Sequence, residues 1–359
     1  VPPSIIQTPA DTQSKIQWLP PNIHPNLIAS ISTDGHFRLW VEDPTLPPGK
    51  GRRFASHSNK PVWDLRSPAR APFLSFAITH NAETRHTYLA LINRNATLTV
   101  YENEEPENLE SWTDFDKVNV CEKPARGEET SFKVAFDPNL EPCYTAIRQG
   151  VPRDALGVIV ASMNRASIWR TKEISHTVSL GSPTTKEFYL AAELKGHRGL
   201  VRDVAWAPGN IRGYDVVATA CKDGFVRVFQ VTTPMKGSKE PRSREYSKMP
   251  EKMVVPQRSA ENGTRNAPSG IGAGLAGARP GLTGNRQQDA QENEGEVVHA
   301  AKEVSKLDAN RTPVWRVAFD ADGQLIGSTG DDGKLLLWRR EPSGAWSKSS
   351  ELAMARSVV

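Results

Sequence analysis

Long apolar runs are missing from this sequence. No stretch approaches the roughly 20 residues that cross a bilayer as a helix, and no secretory leader is visible. Cysteine is scarce. Cys121, Cys143 and Cys221 are an odd three at no metal-like spacing, which suits buried small side chains in a reducing compartment and not a disulfide framework. Neither sign of charge is in large excess. The 45 Lys and Arg against 41 Asp and Glu leave +4, so composition forces no affinity for nucleic acid. The phosphate-cradling Gly-x-x-x-x-Gly-Lys-Ser/Thr pattern does not occur. His24, His36, His57, His80 and His86 stand at no ligand spacing with Cys or carboxylates. No cofactor, no metal and no catalytic constellation is expected. The first residue is Val, not Met, and a processed or truncated start is the expectation.

What the sequence does have is a repeat. Thr312 to Trp338 divides into three short strands joined by two tight turns, at Asp322-Gly323 and at Asp331-Asp332-Gly333. Val317 and Phe319 alternate with Ala318 and Asp320, the period of a half-buried strand. Asp can hydrogen-bond its own backbone and Gly tolerates positive φ, so both turns follow from their residues. Such a meander cannot bury both faces alone and calls for neighbours of its own kind. The twelve residues from Gly327 to Trp338 align with Ala218–Phe229, Ala29–Trp40 and, less cleanly, Ala90–Tyr101. The sixth position holds Asp332, Asp223, Asp34 and Asn95. The seventh holds Gly three times and Ala once, and the twelfth is always aromatic. Ala161–Trp169 is a shortened copy without the Asp-Gly turn. The period and chemistry predict an all-β fold, a WD-repeat β-propeller with five recognisable blades.

Taken in order, residues 1–15 are a polar lead or an edge strand, and 16–231 hold the first four blades. In the first blade Arg53–His57 is expected as the outer strand. Val62-Trp63-Asp64-Leu65 is expected as the inner strand of the second, by analogy with Val314-Trp315-Arg316-Val317. Glu102–Glu110 is expected as an exposed connection, Asp137-Pro138-Asn139 as a turn and Phe188–Leu194 as an outer strand. The fourth blade opens on Gly196-His197, itself a WD-repeat signature. Residues 234–295 are rich in Gly, Ser, Asn, Gln and Arg and nearly devoid of aromatics. Such a segment buries too little apolar surface to offset its ordering entropy, so a disordered insertion in the fourth blade is predicted. Its Arg242, Arg244, Lys248 and Lys252 read as a solvated loop, not a nucleic-acid site. Residues 296–345 complete the fourth blade and supply the last, starting with the outer strand at Val297–Ala300, and 346–359 are a C-terminal strand or tail.

LKGHRGLVRDVAWAPGN, VVATACKDGFVRVF, a long spacer and then VWRVAFDADGQLIGSTGDDGKLLLW resemble the Seh-type nucleoporins. These are small WD-repeat subunits of the Y-shaped coat of the nuclear pore, related to the Sec-type COPII coat propeller. The resemblance is strongest over 195–231 and 296–339, recognisable over 16–40 and thin between 61 and 170. It implies an open propeller with six blades of its own, closed by a blade donated by an α-helical nucleoporin. It further implies a non-enzymatic scaffold among other Y-complex nucleoporins, supporting transport of protein and mRNA at the nuclear envelope. The family is shared with a vacuolar or lysosomal nutrient-signalling complex, which implies a second membrane-surface location without membrane insertion. No counterpart of the family's first blade is found here. A generic WD-repeat adaptor or vesicle-coat subunit recognising protein ligands remains the alternative.

A WD blade can carry a hydrogen-bonded set of His, Ser or Thr, Asp and Trp, which resembles a catalytic triad only in composition. His197 and Asp223 occur together with Phe229 in the Trp position, and Asp332 and Trp338 occur without a Gly-His. His197 and Asp223 are expected as a buried pair tying a loop to a turn. Asp34 is expected as a turn residue and Trp40 as blade packing in the first blade. For the two open ends the candidate partner contacts are Ile16, Trp18 and Leu27 on one side and Val314, Trp315 and Trp346 on the other.

Overall fold

Alternating apolar residues separated by Gly-containing turns give twenty strands, in the computed structural model, across the described residues 13–19, 23–46, 60–174, 185–209, 213–234 and 297–353. They form five four-stranded antiparallel sheets, each made of consecutive strands. The first holds β1 (Gln13–Trp18), β2 (Leu27–Ser32), β3 (His36–Val41) and β4 (Trp63–Arg66). The second holds β5 (Phe73–His80), β6 (Thr87–Asn93), β7 (Thr97–Asn103) and β8 (Thr113–Asn119). The third holds β9 (Phe132–Phe136), β10 (Gly157–Ser162), β11 (Arg165–Ile174) and β12 (Thr185–Leu194). The fourth holds β13 (Val201–Trp206), β14 (Asp215–Cys221), β15 (Phe225–Thr232) and β16 (Ala300–Asp308). The fifth holds β17 (Val314–Phe319), β18 (Leu325–Gly330), β19 (Lys334–Arg340) and β20 (Trp346–Ala353). This is an open WD-repeat propeller. Sheets pack in sequence, β5 against β9, β9 against β13 and β13 against β17, with β2 against β5; among the described residues no comparable packing joins the first sheet to the fifth.

The second strand of the first four sheets is buried along its whole length, because it is covered on both faces and paired on both edges. In β18 of the fifth sheet burial alternates, with Ile326 and Ser328 inside and their neighbours half-buried. Four apolar clusters fill the spaces between successive sheets. Two bulges recur. One interrupts the first strand's pairing, at Lys15, Ser75, Asp203 and Arg316. The other falls where the third strand's terminal aromatic pairs with the outer strand, at Tyr101, Trp169, Phe229 and Trp338. An extra residue there bends the strand and re-aims its side chains.

Several expectations are corrected. Val62–Leu65 is not an inner strand: Trp63–Arg66 is the outer strand of the first sheet, with Trp63 opposite Leu39, and β5 is the inner strand of the second. A Trp in an alternating run has the same local signature at either edge of a blade. Trp63 is held there by stacking on Trp112, with ring centroids 5.2 Å apart. Glu102–Glu110 is more than an exposed connection. Its Asn103 is fully buried and donates to the carbonyls of Asn108 (2.8 Å) and Ser111 (2.7 Å), setting up the outer strand β8. Between β9 and β10 a short helix, α1 (Tyr144–Arg148), follows the Asp137 turn. The outer strand β16 begins at Ala300, three residues after the expected Val297. Arg53–His57 and the insertion at 235–296 lie outside the described residues.

Candidate functional site

The tight turns are built by their sixth and seventh residues. Gly35, Gly224 and Gly333 have φ of 83°, 84° and 66°, and Ala96, the one substitution in the frame, adopts 64° all the same. Asp34 accepts the His36 N–H (2.9 Å), the Ser32 hydroxyl and the Arg38 guanidinium (2.5 Å). Asp223 repeats the pattern: it accepts the Phe225 N–H at 3.2 Å and both Arg227 Nη atoms, at 3.1 and 2.7 Å. Burial opposes ionisation of Asp223, yet the Arg227 and Arg198 hydrogen bonds hold its carboxyl down at about 2. Asp332 has no such cation. It accepts the Lys334 N–H (3.2 Å) and the Asn310 amide (3.0 Å).

His197 does not bond Asp223. Its Nε2 meets the Thr219 hydroxyl at 2.8 Å, and the Asp223 carboxylate takes the neighbouring Arg198 N–H at 3.1 Å. The loop is still tied to the turn, but through the backbone beside the histidine. The reason lies in the twelfth position. Trp40 and Trp338 donate their indole N–H to Ser30 (3.0 Å) and Ser328 (2.9 Å). Phe229 has no donor, so Thr219, which occupies the place of those serines, is left for His197. The ring of His197 lies 5.9 Å from that of Phe229. Burial, then the nearby Arg227 charge, lower the His197 pKa to about 4, so it is neutral at pH 7. Trp169 in the shortened copy bonds Ser167, two residues back, instead.

The six candidate contacts at the open ends separate into two groups. Leu27, Val314 and Trp346 are buried between the chain's own sheets. Ile16 and Trp18 are 49% and 44% exposed, on the face of β1 opposite Leu27's cluster. Trp315 is 45% exposed at the β17 bulge, where it donates to Asp331 and lies 4.4 Å beneath the Arg202 guanidinium. Sequence reading overlooked the outward face of the fifth sheet. Leu335 pairs with Leu352, and Leu337 with Gly327, so these residues share the face away from Ile326, Leu336 and Trp338. Leu325, Leu335 and Leu337 are half-buried and belong to no core cluster, and Leu352 is 53% exposed. Alternation in KLLLW is hidden because all three central residues are leucine.

The WD domain, G-beta repeat pattern matches residues 188–230 and 301–339. Nucleoporin SEH1 of Chaetomium thermophilum is 39% identical over 95% of this chain and 84% of its own length. The chain belongs to the SEH1 nucleoporin family. Nucleoporin SEH1 of Saccharomyces cerevisiae is 26% identical over 90% of this chain and 78% of its own, and that of Schizosaccharomyces pombe 28% over 70% and 56%.

This SEH1-family chain also carries a buried ionic cluster that spacing did not reveal. Arg170 on β11, fully buried, bonds Asp215 of β14 at 2.5 Å, lies 3.7 Å from Asp137 and rests 5.3 Å over the Trp206 ring. Asp137 also makes the expected turn, accepting the Asn139 N–H at 3.0 Å. Burial, then the Asp215 charge, push its carboxyl up to about 7. Nearby, His299 joins Tyr189 (2.8 Å) to Thr233 (3.0 Å), and burial followed by the Arg170 charge lowers its pKa to about 4. These groups lock the third sheet to the fourth. Among the described residues no cluster of three or more His, Cys, Asp or Glu could hold a metal ion.

Proposed function

We propose that this chain is a non-enzymatic structural scaffold subunit of the Y-shaped coat of the nuclear pore. It acts there through a permanent interface with an α-helical nucleoporin that donates a blade, and so supports passage of protein and mRNA. The observation carrying this reading is the apolar surface that the two end sheets expose among the described residues. Ile16 and Trp18 stand exposed on one, and Leu325, Leu335, Leu337 and Leu352 line the other. A sheet packed between them would bury both faces side chain against side chain, its main-chain hydrogen bonds being made among its own strands. Such an interface is apolar at its centre and obligate in size. Family membership supports the assignment to the pore.

Co-expression with a helical nucleoporin tests it. The expected result is a stoichiometric complex that survives gel filtration, with the chain alone poorly soluble. Leu337→Asp should abolish the complex, and Lys302→Gln, exposed on β16 of the fourth sheet, should not. A monodisperse chain that ignores the nucleoporin would overturn the reading.

A further inference from the structure

Four charged side chains from four different sheets gather where the first strands converge. Lys15 lies on β1, Lys133 on β9, Asp203 on β13 and Arg316 on β17. They are close enough that the charges of Lys133, Asp203 and Arg316 all act on Lys15, and those of Arg316 and Asp203 act on Lys133. The one carboxylate is already engaged. Asp203 accepts the Val317 N–H at 3.1 Å and sits 3.9 Å from Arg316 Nη1, too far for a hydrogen bond. Among the described residues Lys15 reaches the Phe76 carbonyl, at 2.5 Å, and the face of the Phe76 ring, at 4.7 Å. Lys133, only half-exposed, has no hydrogen bond or ion pair among the described residues. Three cations thus surround one carboxylate.

Like charges brought together away from water repel, and the partly buried Lys133 ammonium loses hydration that no hydrogen bond among the described residues replaces. Burial, then the Lys133 charge, bring the Lys15 pKa down to about 8. An anion with several oxygens would relieve the repulsion and give the free N–H donors of Lys133 and Arg316 acceptors. Arg316 is 60% exposed at the side-chain level and gives such a ligand its way in. We propose that Lys15, Lys133 and Arg316 form a binding site for a small, free, phosphate-bearing anion at the convergence of the inner strands. A polyphosphate suits it better than a monophosphate, because the cations come from three separate sheets and a chain of phosphates offers each its own acceptor. The guanidinium supplies paired donors and the ammonium groups point charges.

Calorimetric titration of the full chain, in its nucleoporin complex where that is the soluble form, decides the matter. The probes are inorganic phosphate and tripolyphosphate at fixed chloride. We expect saturable binding of one tripolyphosphate per chain, tighter than phosphate. Lys133→Met should weaken it about tenfold, the worth of one charge-assisted contact. Asp203→Asn keeps an acceptor for the Val317 N–H while removing the negative charge, and should tighten binding. That gain remains readable even where Lys133→Met fails to fold. Lys302→Gln, exposed on β16, should change nothing. No saturable binding, an unchanged affinity in both cluster variants, or an equal loss with Lys302→Gln would overturn the proposal. Retention on phosphoinositide vesicles, lost in Lys133→Met, would overturn the assignment to a free anion in favour of a lipid headgroup.

Discussion

Removing the Asp223 carboxylate should damage the protein far more than removing Asp332, although the two occupy the same position of the repeat. Arg227 is the difference. Its side chain is 1% exposed, and its two Nη atoms are both held by Asp223, with Glu303 3.5 Å from Nε as the remaining anion. Asp223→Ala strands a buried guanidinium, a change that costs roughly 3–5 kcal/mol. Asp332→Ala frees one backbone N–H and one exposed amide, which water can satisfy, and should cost about 1 kcal/mol. The decisive variant is the double one. With Arg227→Met added, the orphaned charge is gone, so Asp223→Ala/Arg227→Met should be more stable than Asp223→Ala alone. Urea denaturation followed by tryptophan fluorescence, with m-values compared to verify one transition, gives each ΔΔG. Equal losses for Asp223→Ala and Asp332→Ala, or a double variant worse than either single one, would refute the reasoning.

Other expectations follow from the same contacts. A double-mutant cycle on His197→Ala and Thr219→Val should show coupling, and the cycle on His197→Ala and Asp223→Ala should be nearer additive; the reverse order would contradict the hydrogen-bond assignment. Gly224→Ala should be much more damaging than Gly333→Ala in thermal melts. Both turn glycines carry positive φ, but a Cβ on Gly224 would fall 2.7 Å from the Arg311 backbone, and one on Gly333 meets nothing within 4 Å and costs only the roughly 1–2 kcal/mol of a left-handed residue. His197 and His299 have folded pKa values near 4, below the ordinary histidine value, so the stability they contribute is full above about 6.5 and is lost as pH falls through 4. His299→Gln should therefore shrink the drop in urea midpoint between pH 7 and pH 5. Asp137 works in the opposite sense, losing its contribution as pH rises through about 7, so the comparison with the variant is the readout. Replacing residues 235–296 by a short Gly-Ser linker should leave the circular dichroism melt unchanged, because Thr232 and Ala300 already face each other at the ends of β15 and β16.

What could be read from the sequence was local. The Asp-Gly turns of three sheets and the terminal aromatic of all five copies recur within a dozen residues, and they locate second and third strands. What failed was edge assignment. Trp63 and Trp315 sit in near-identical alternating runs, and only long-range partners, Trp112 for one and Arg202 for the other, set their places. The Arg170–Asp215 pair was invisible because its members are 45 residues apart and each sits in an ordinary strand. The Lys15, Lys133 and Arg316 group was invisible for the same reason. His197 meets Thr219 and not the expected Asp223. Composition shows that Phe229 lacks a side-chain N–H, but not that the Thr219 hydroxyl is then left to His197.

Four of the five sheets are complete as soon as a short, continuous stretch of chain is available. The fourth is not: Thr232 and Ala300, which pair at its outer edge, are 68 residues apart. At synthesis rates of about 5–20 residues per second, some 3–14 s pass between the emergence of the two strands. For that interval β15 presents an unpaired edge beside a finished three-stranded meander, while nothing from the fifth sheet has yet been made. An open edge of this kind invites pairing with any strand in reach. The insertion therefore gives this protein a timed period of vulnerability on the ribosome, in which a chaperone or a premature partner would meet the fourth sheet before its own last strand does.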